Sequence, residues 1–271
     1  MARLLLFCAL SLCLASAASA PRAAEYKPEL AQPGKDVVWV PTPDALVNRM
    51  LDLAKLTPSD HLIDLGSGDG RLVLMAAKRG ARAHGIEYST DLVEYSKRAA
   101  KQAGLAGKAT FAKADLFDSD LSAATVITLF LSPDINLTLR PKILNLKPGT
   151  RIVSNTFNMG DWAPDDKAAS TDDERLVYYR TALLWIVPAK VGGVWQSLQG
   201  NITFTQRYQM ISGTIGAQGK STPIMDAKLR GDQISFSADG AKYAGTVSGN
   251  IITGTVTSSA ANREWRATRS R

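Results

Sequence analysis

Cysteine is confined to the start of this 271-residue chain, at Cys8 and Cys13, and histidine occurs only at His61 and His84. A chain with no cysteine beyond that point forms no internal disulfide there and builds no Cys-ligated zinc or iron–sulfur centre. No other metal-ligating constellation stands out. Long apolar runs are equally scarce: Leu4 to Leu14 is the one sizeable run, and it falls short of the roughly 20 residues that a membrane-spanning helix needs. Aromatic residues make up 7% and charged residues 21% against 45% hydrophobic, which excludes the disordered and fibrous classes and suits about two ordinary domains. The net charge of +7 is unevenly spread, because residues 190 to 271 carry 10 Lys/Arg against 4 Asp/Glu.

The leader accounts for both cysteines. Arg3, the apolar run Leu4 to Leu14 and the small-residue stretch Ala15 to Ala20 follow the three-part layout of a secretory signal peptide, so residues 1–20 are set apart from the folded chain. Pro21 disfavours a cut after Ala20, and Ala15 with Ala17 supplies a small-residue pair for a cut near Ala17. Phe7 and Leu12 stand where a lipoprotein signal requires a small residue. Export to the periplasm or the medium is the first reading, and an uncleaved membrane anchor is the alternative.

From Thr42-Pro43-Asp44 onward, strand-like and helix-like stretches alternate. Thr42 can cap a helix in which Leu46, Met50, Leu53 and Leu56 recur at helical spacing. Strands are expected over 61–65, 82–87, 109–114, 125–131 and 151–157, with helices over 71–78, 91–103 and 137–145. Such alternation argues α/β architecture, a parallel sheet with helices on both faces. After an acidic loop (161–174) and a last apolar stretch (176–187), the composition shifts at Pro188, helical periodicity ends, and short strand-like runs are separated by Gly, Asp and Asn. Residues 190–271 therefore read as a small antiparallel β domain, in which Ser212-Gly213-Thr214, Ala244-Gly245-Thr246 and Thr253-Gly254-Thr255 are taken as hairpin chemistry.

The run Asp64-Leu65-Gly66-Ser67-Gly68-Asp69-Gly70-Arg71 puts a glycine-rich turn between a strand and a helix, where main chain can approach a ligand and a helix N-terminus favours negative charge. A dinucleotide site would want its third glycine at position 71, where Arg71 stands. The Gly-x-Gly-x-Gly spacing, with Asp64 before it, Glu87 at the end of the next strand and Asp115-Leu116 after the third, resembles class I S-adenosylmethionine-dependent methyltransferases. That resemblance covers residues 37 to 187. It implies a Rossmann-like sheet in a domain spanning 21–189, with S-adenosyl-L-methionine as co-substrate. Glu87 would accept hydrogen bonds from the ribose, Asp115 from the adenine amino group, and the main chain near Gly66 and Gly68 would face the methionine end. Asp64, Ser67, Gly70 and Leu116 complete the expected lining, and Thr42 adds a cofactor contact that can coexist with capping. Taken singly, Glu87 also reads as a solvated strand-end carboxylate and Asp115 as a turn cap.

Together with Pro148 to Ser154, the same run is similar to a bacterial group related to mitochondrial protein-lysine methyltransferases and, more remotely, to the non-SET histone lysine methyltransferase. A lysine acceptor is thereby implied, with pocket residues Phe130 and Asp134 after the fourth strand and Asn155, Phe157, Asp161 and Trp162 after the fifth. Asn155 stands where that group would carry His, which argues against an acid/base role there. Phe130, Phe157 and Trp162 read either as the lining of an amine channel or as core packing. Asp134 and Asp161 read as groups that orient an amine, and Asp134 also as a helix N-cap. His61 and His84 are read as structural.

In the C-terminal part, Gly193-Val194-Trp195 and the late Trp265-Arg266 resemble the start and close of lipocalin-like barrels, which implies a small meander or barrel with Arg266 stacked on Trp195. Its basic balance suits an acidic or membrane-surface partner, or simply a solvated surface; the clustered aromatics of a single-strand nucleic-acid platform are missing. Export conflicts with a cofactor made in the cytoplasm, so an exported non-catalytic binding or envelope protein built on the same fold stands as the alternative function. The leader reading predicts that mass spectrometry of the protein from fractionated cells finds a soluble species starting near Ala18 and lacking both cysteines. An intact chain in the membrane fraction would sink it.

Overall fold

Strands with near-continuous apolar runs need cover on both faces, and the first half of the chain supplies it. The structure, a computed structural model, describes residues 26–170, 179–217 and 219–270; the leader lies outside them. Strands β1 (His61–Leu65), β2 (Arg82–Glu87), β3 (Ala109–Lys113), β4 (Val126–Leu129) and β5 (Arg151–Asn155) pair in parallel. Two further strands, β6 (Asp166–Ala169) and β7 (Thr181–Ile186), extend the sheet antiparallel, in the order β3-β2-β1-β4-β5-β7-β6. The acidic loop therefore holds a strand that its polar residues had concealed. β7 hydrogen-bonds to the edge of β5 through apolar residues and carries β6 outward as a hairpin partner.

Helices α1 (Asp44–Leu53), α2 (Arg71–Lys78) and α3 (Thr90–Gln102) cover one face, where Leu46, Met50, Val73 and Val93 pack on Leu62, Val126 and Val153. Helix α4 (Pro133–Ile143) covers the other, with Ile135, Leu139 and Ile143 on Ile63, Leu65, Ile127 and Ile152. The alternation of Leu62 and Ile63 between the two cores is the pleat of β1 expressed in packing. At the foot of the sheet, buried Asp60 accepts from Thr125 Oγ1 at 2.7 Å and pairs with Arg151, which joins β1, β4 and β5 below their first residues. Because strand order reverses between β1 and β4, the crevice for a ligand opens above the carboxyl ends of those two strands. His61 opens β1, and His84 Nδ1 lies 2.8 Å from Thr110 Oγ1; neither lines that crevice.

Nine antiparallel strands follow: β8 (Gly193–Ser197), β9 (Gly200–Arg207), β10 (Met210–Ala217), β11 (Lys220–Pro223), β12 (Met225–Arg230), β13 (Gln233–Ala238), β14 (Ala241–Ser248), β15 (Ile251–Thr257) and β16 (Asn262–Arg269). They form one sheet in the order β11-β10-β9-β8-β16-β15-β14-β13-β12. The sheet curls almost into a barrel, since the Ile224 N–H before β12 donates to the Gly213 carbonyl of β10 at 3.0 Å. Its interior is filled by Trp195, Phe204, Phe236, Tyr243 and Trp265. Gly213, Gly245 and Gly254 sit inside strands, which corrects their reading as hairpin residues. A Cβ on Gly213 or Gly254 would come within 1.9 Å of a neighbouring strand's carbonyl oxygen, and one on Gly245 within 3.0 Å of the Trp265 ring. They permit close approach where the sheet bends.

The expected stacking partner of Trp195 is also corrected. Arg269, not Arg266, lies over the Trp195 ring at 4.5 Å, because β16 pairs Arg269 with Trp195 whereas Arg266 faces Thr253 on the exposed side. Arg269 further donates to the carbonyls of Lys190 and Gly192, tying the barrel's first strand to the segment that enters it. That connection is buried at Pro188, Ala189 and Val191. Arg269→Ala should lower barrel stability by about 2 kcal/mol, from the lost cation–π contact and two charge-assisted hydrogen bonds, whereas Arg266→Ala should stay within about 0.5 kcal/mol. Urea denaturation of the two variants side by side measures the difference.

Candidate functional site

The turn between β1 and α2 can follow its path only because three of its residues lack side chains. Gly66, Gly68 and Gly70 have φ of +73°, +54° and +77°, in the region that glycine enters without steric cost. A Cβ on Gly68 would come within 2.4 Å of the Trp39 indole nitrogen, and one on Gly70 within 2.8 Å of the Phe111 ring. The Gly68 N–H donates to Glu87 Oε2 at 3.0 Å and the Ser89 N–H to Glu87 Oε1 at 2.8 Å, so one carboxylate holds both the turn and the start of α3. Ser96 Oγ donates to the Gly68 carbonyl at 3.1 Å.

Above this turn lies a cleft of about 980 Å³, including its open mouth, that runs from Asp64 and Thr42 at one end to Asp115 and Leu116 at the other. Asp64 is buried, and Thr128 Oγ1 donates to it at 2.7 Å. Burial pushes its carboxyl up to about 7; the Thr128 hydroxyl opposes the rise, and the nearby Asp69 and Glu87 charges add to it. Asp115 accepts the Phe117 N–H at 2.9 Å and the Lys35 ammonium at 2.5 Å. Lys35 holds its carboxyl below the usual range, and the ammonium lies 5.2 Å from the Tyr88 ring centre.

Lys35 belongs to a strap, residues 34–42, that crosses the cleft. Ion pairing of Lys35 with Asp115 secures one end; at the other, Arg71 Nη1 donates to the Thr42 carbonyl at 3.2 Å while its guanidinium forks onto Asp69. Thr42 is not the cap of α1, whose preceding residue is Pro43 with no side-chain cap. Its hydroxyl instead accepts from Asn155 Nδ2 at 3.2 Å.

At the Asp64 end, Phe130 forms part of the wall, Phe157 stacks on it at 6.0 Å, and Tyr179 meets its edge at 5.1 Å. Thr156 carries φ of +63°, and the Phe157 N–H reaches back to the Asn155 carbonyl at 2.7 Å. A β-branched residue held in that tight turn marks strain just after β5, next to the ring that stacks on Phe130.

Of the residues singled out from the sequence, Thr42, Asp64, Gly66, Ser67, Gly68, Glu87, Asp115, Leu116 and Phe130 converge on the cleft. Gly70 supports the turn from below. The Ser67 hydroxyl turns away to lie against Gly85, without a hydrogen-bond partner among the described residues, so Ser67 contributes main chain. Three candidates lie elsewhere. Asp134 is exposed in the first turn of α4, whose cap is Ser132, where it complements the helix dipole. Asp161 is tied by Arg140, Arg207 and Tyr208, and Trp162 is fully buried. Lys35, Trp39 and Tyr88 line the cleft without having been anticipated, because a Pro-containing lead-in and a single tyrosine carry no periodic signal.

The cleft suits a group that pairs a cation at one end with hydrogen-bonding hydroxyls at its middle. Buried Asp64 has no cationic partner among the described residues, Glu87 faces the glycine turn, and the side-chain-free loop leaves room for a ligand against its main chain. Among the described residues no set of His, Cys, Asp or Glu can hold a metal ion.

A family model described as the ANTKMT methyltransferase domain matches residues 64–166. A protein-lysine N-methyltransferase of Saccharolobus islandicus is 40% identical over 133 residues, 48% of this chain and 83% of the relative. The adenine nucleotide translocase lysine N-methyltransferase of Mus musculus is 34% identical over 120 residues, 44% of this chain and 52% of the relative. Among solved structures, an RNA methyltransferase from Salinibacter ruber in complex with S-adenosyl-L-homocysteine is 45% identical, with a TM-score of 0.52 over 56% of this chain and 96% of that one.

The raised carboxyl of Asp64 sets a pH dependence. Its folded value near 7 lies above the ordinary 3.8, so stability is greatest below about pH 4 in this respect and is lost as pH rises toward 7. The loss is at most about 1.4 kcal/mol per pH unit. Asp64→Asn should flatten that slope in ligand-free urea titrations between pH 5 and 7; an unchanged slope would assign it to another group.

Proposed function

Because the chain belongs to the ANTKMT methyltransferase-domain family of S-adenosylmethionine-dependent enzymes, we propose that it transfers the methyl group to the side-chain amine of a protein lysine. The observation that carries this reading is the aromatic group Phe130, Phe157 and Tyr179 at the Asp64 end of the cleft. Both curated relatives named above are themselves lysine N-methyltransferases.

S-adenosyl-L-methionine supplies an activated methyl on a sulfonium centre. Asp64 would bind the ammonium of its amino-acid end, Glu87 the ribose, and Asp115 with the Leu116 main chain the adenine. Trp39 and the strap exclude water from above. Lysine attacks only as the neutral amine, and rings around its side chain disfavour the ammonium by desolvation while holding the chain in line. Thr42 lines the cleft, and buried Asn155 holds its hydroxyl in place from behind.

The molecule's setting belongs to the same proposal. The leader favours an exported enzyme, which would need cofactor from outside its compartment; a retained anchor would keep it supplied. The basic barrel suits an acidic or membrane-surface partner.

Incubation with labelled S-adenosyl-L-methionine and a cell extract should place label in protein, as methyl-lysine after digestion; label in RNA alone would overturn the lysine reading. Glu87→Ala should weaken S-adenosyl-L-homocysteine binding by about 1 to 3 kcal/mol in calorimetric titration.

A further inference from the structure

The family match ends at residue 166, before the barrel, yet the barrel grips the part of the methyltransferase that carries Phe157. The loop after β5, residues 156–165, is held from one side by α4. Asn136 Nδ2 donates to the Phe157 and Asn158 carbonyls at 3.3 and 3.2 Å, and Arg140 Nη1 to the Met159 carbonyl at 2.8 Å. Gly160 permits the closeness, since a Cβ there would lie 2.6 Å from Leu137.

From the other side the loop is held by the turn between β9 and β10. Arg207 Nη2 and Tyr208 Oη donate to Asp161 at 2.7 and 2.9 Å. Tyr208 stacks on Trp162 at 5.8 Å. Gln209 closes a reciprocal pair, accepting from Trp162 Nε1 at 2.9 Å and donating to the Ala163 carbonyl at 2.7 Å. Trp185 Nε1 of β7 donates to the Trp162 carbonyl at 2.8 Å. Tyr208 has φ of +55°, as the first residue of the two-residue loop that joins Arg207 to Met210, and that turn aims its ring and hydroxyl at the loop after β5.

We propose that the β9–β10 turn is a positioning element for the acceptor side of the reaction: Tyr208 and Gln209 fix the loop after β5 so that Phe157 stacks on Phe130. The barrel thus acts on the acceptor wall and leaves the cofactor half untouched. The proposal rests on the reading of Phe130, Phe157 and Tyr179 as the acceptor entrance.

The test uses the full chain carrying 4-fluorophenylalanine, with the Phe130 and Phe157 resonances assigned by Phe→Leu replacement at each. Tyr208→Gly removes the ring and hydroxyl, and glycine adopts the left-handed φ without cost. Gln209→Met is the milder variant, keeping length while deleting both hydrogen bonds. In each, the Phe157 and Phe130 resonances should move or broaden while those of Phe111 and Phe117, on the cofactor side, stay in place. Affinity for S-adenosyl-L-homocysteine should stay within about twofold. A folded variant that merely melts earlier, with Phe157 unmoved, overturns the proposal, and so does a loss of S-adenosyl-L-homocysteine affinity equal to the acceptor-side change. The fluorine spectra require no acceptor, so absence of label on lysine would count against the lysine reading alone.

Discussion

One carboxylate organises the cofactor half of this protein. Glu87 accepts the Gly68 and Ser89 N–H groups, binding the end of β2 to the glycine turn and to the start of α3 at once. A turn with three left-handed glycines gains nothing from side-chain packing and has much conformational freedom to lose, so its shape has to be imposed by its neighbours. Glu87 imposes it from one side, Ser96 from below and the Trp39 indole from above. Replacing any of the three glycines therefore affects the shape of the cleft before it affects a ligand.

The α/β half was legible because its signals are local. Apolar runs at β1, β2 and β4, the glycine turn and acids at strand ends all announce themselves within a few residues. β6 was not, since an edge strand of Asp166, Lys167 and two alanines owes its pairing to β7 and has no pattern of its own. Asp161 and Trp162 were misread for a related reason: an acid and an aromatic after β5 fit a pocket by type, and only the tertiary position of the barrel turn reveals that their partners are Arg207, Tyr208 and Gln209. The exchange of Arg266 for Arg269 has the same origin, for register is a pairing property that strand composition leaves open.

Two of the six described non-glycine residues with positive φ flank the contact between the two halves. Thr156 and Tyr208, both with positive φ, stand at either end of the contact that runs from the cleft to the barrel. Neither is a loop tip free to relax. The first is fixed by the Thr181 carbonyl and the Asn155–Phe157 turn, the second by Asp161 and Trp162. Elsewhere the halves meet main chain to main chain, for a Cβ on Gly231 would come within 3.0 Å of Gly149 Cα.

The distribution of tryptophan has an optical consequence. Trp162, Trp185, Trp195 and Trp265 are all sealed in cores, at 0 to 1% exposure. Trp39 alone stands on the strap, half-buried, with its indole nitrogen against the glycine turn. Four of the five indoles thus form a constant background while the fifth samples the occupied or vacant cleft, which gives the native chain a built-in fluorescent probe of its own ligand without any label.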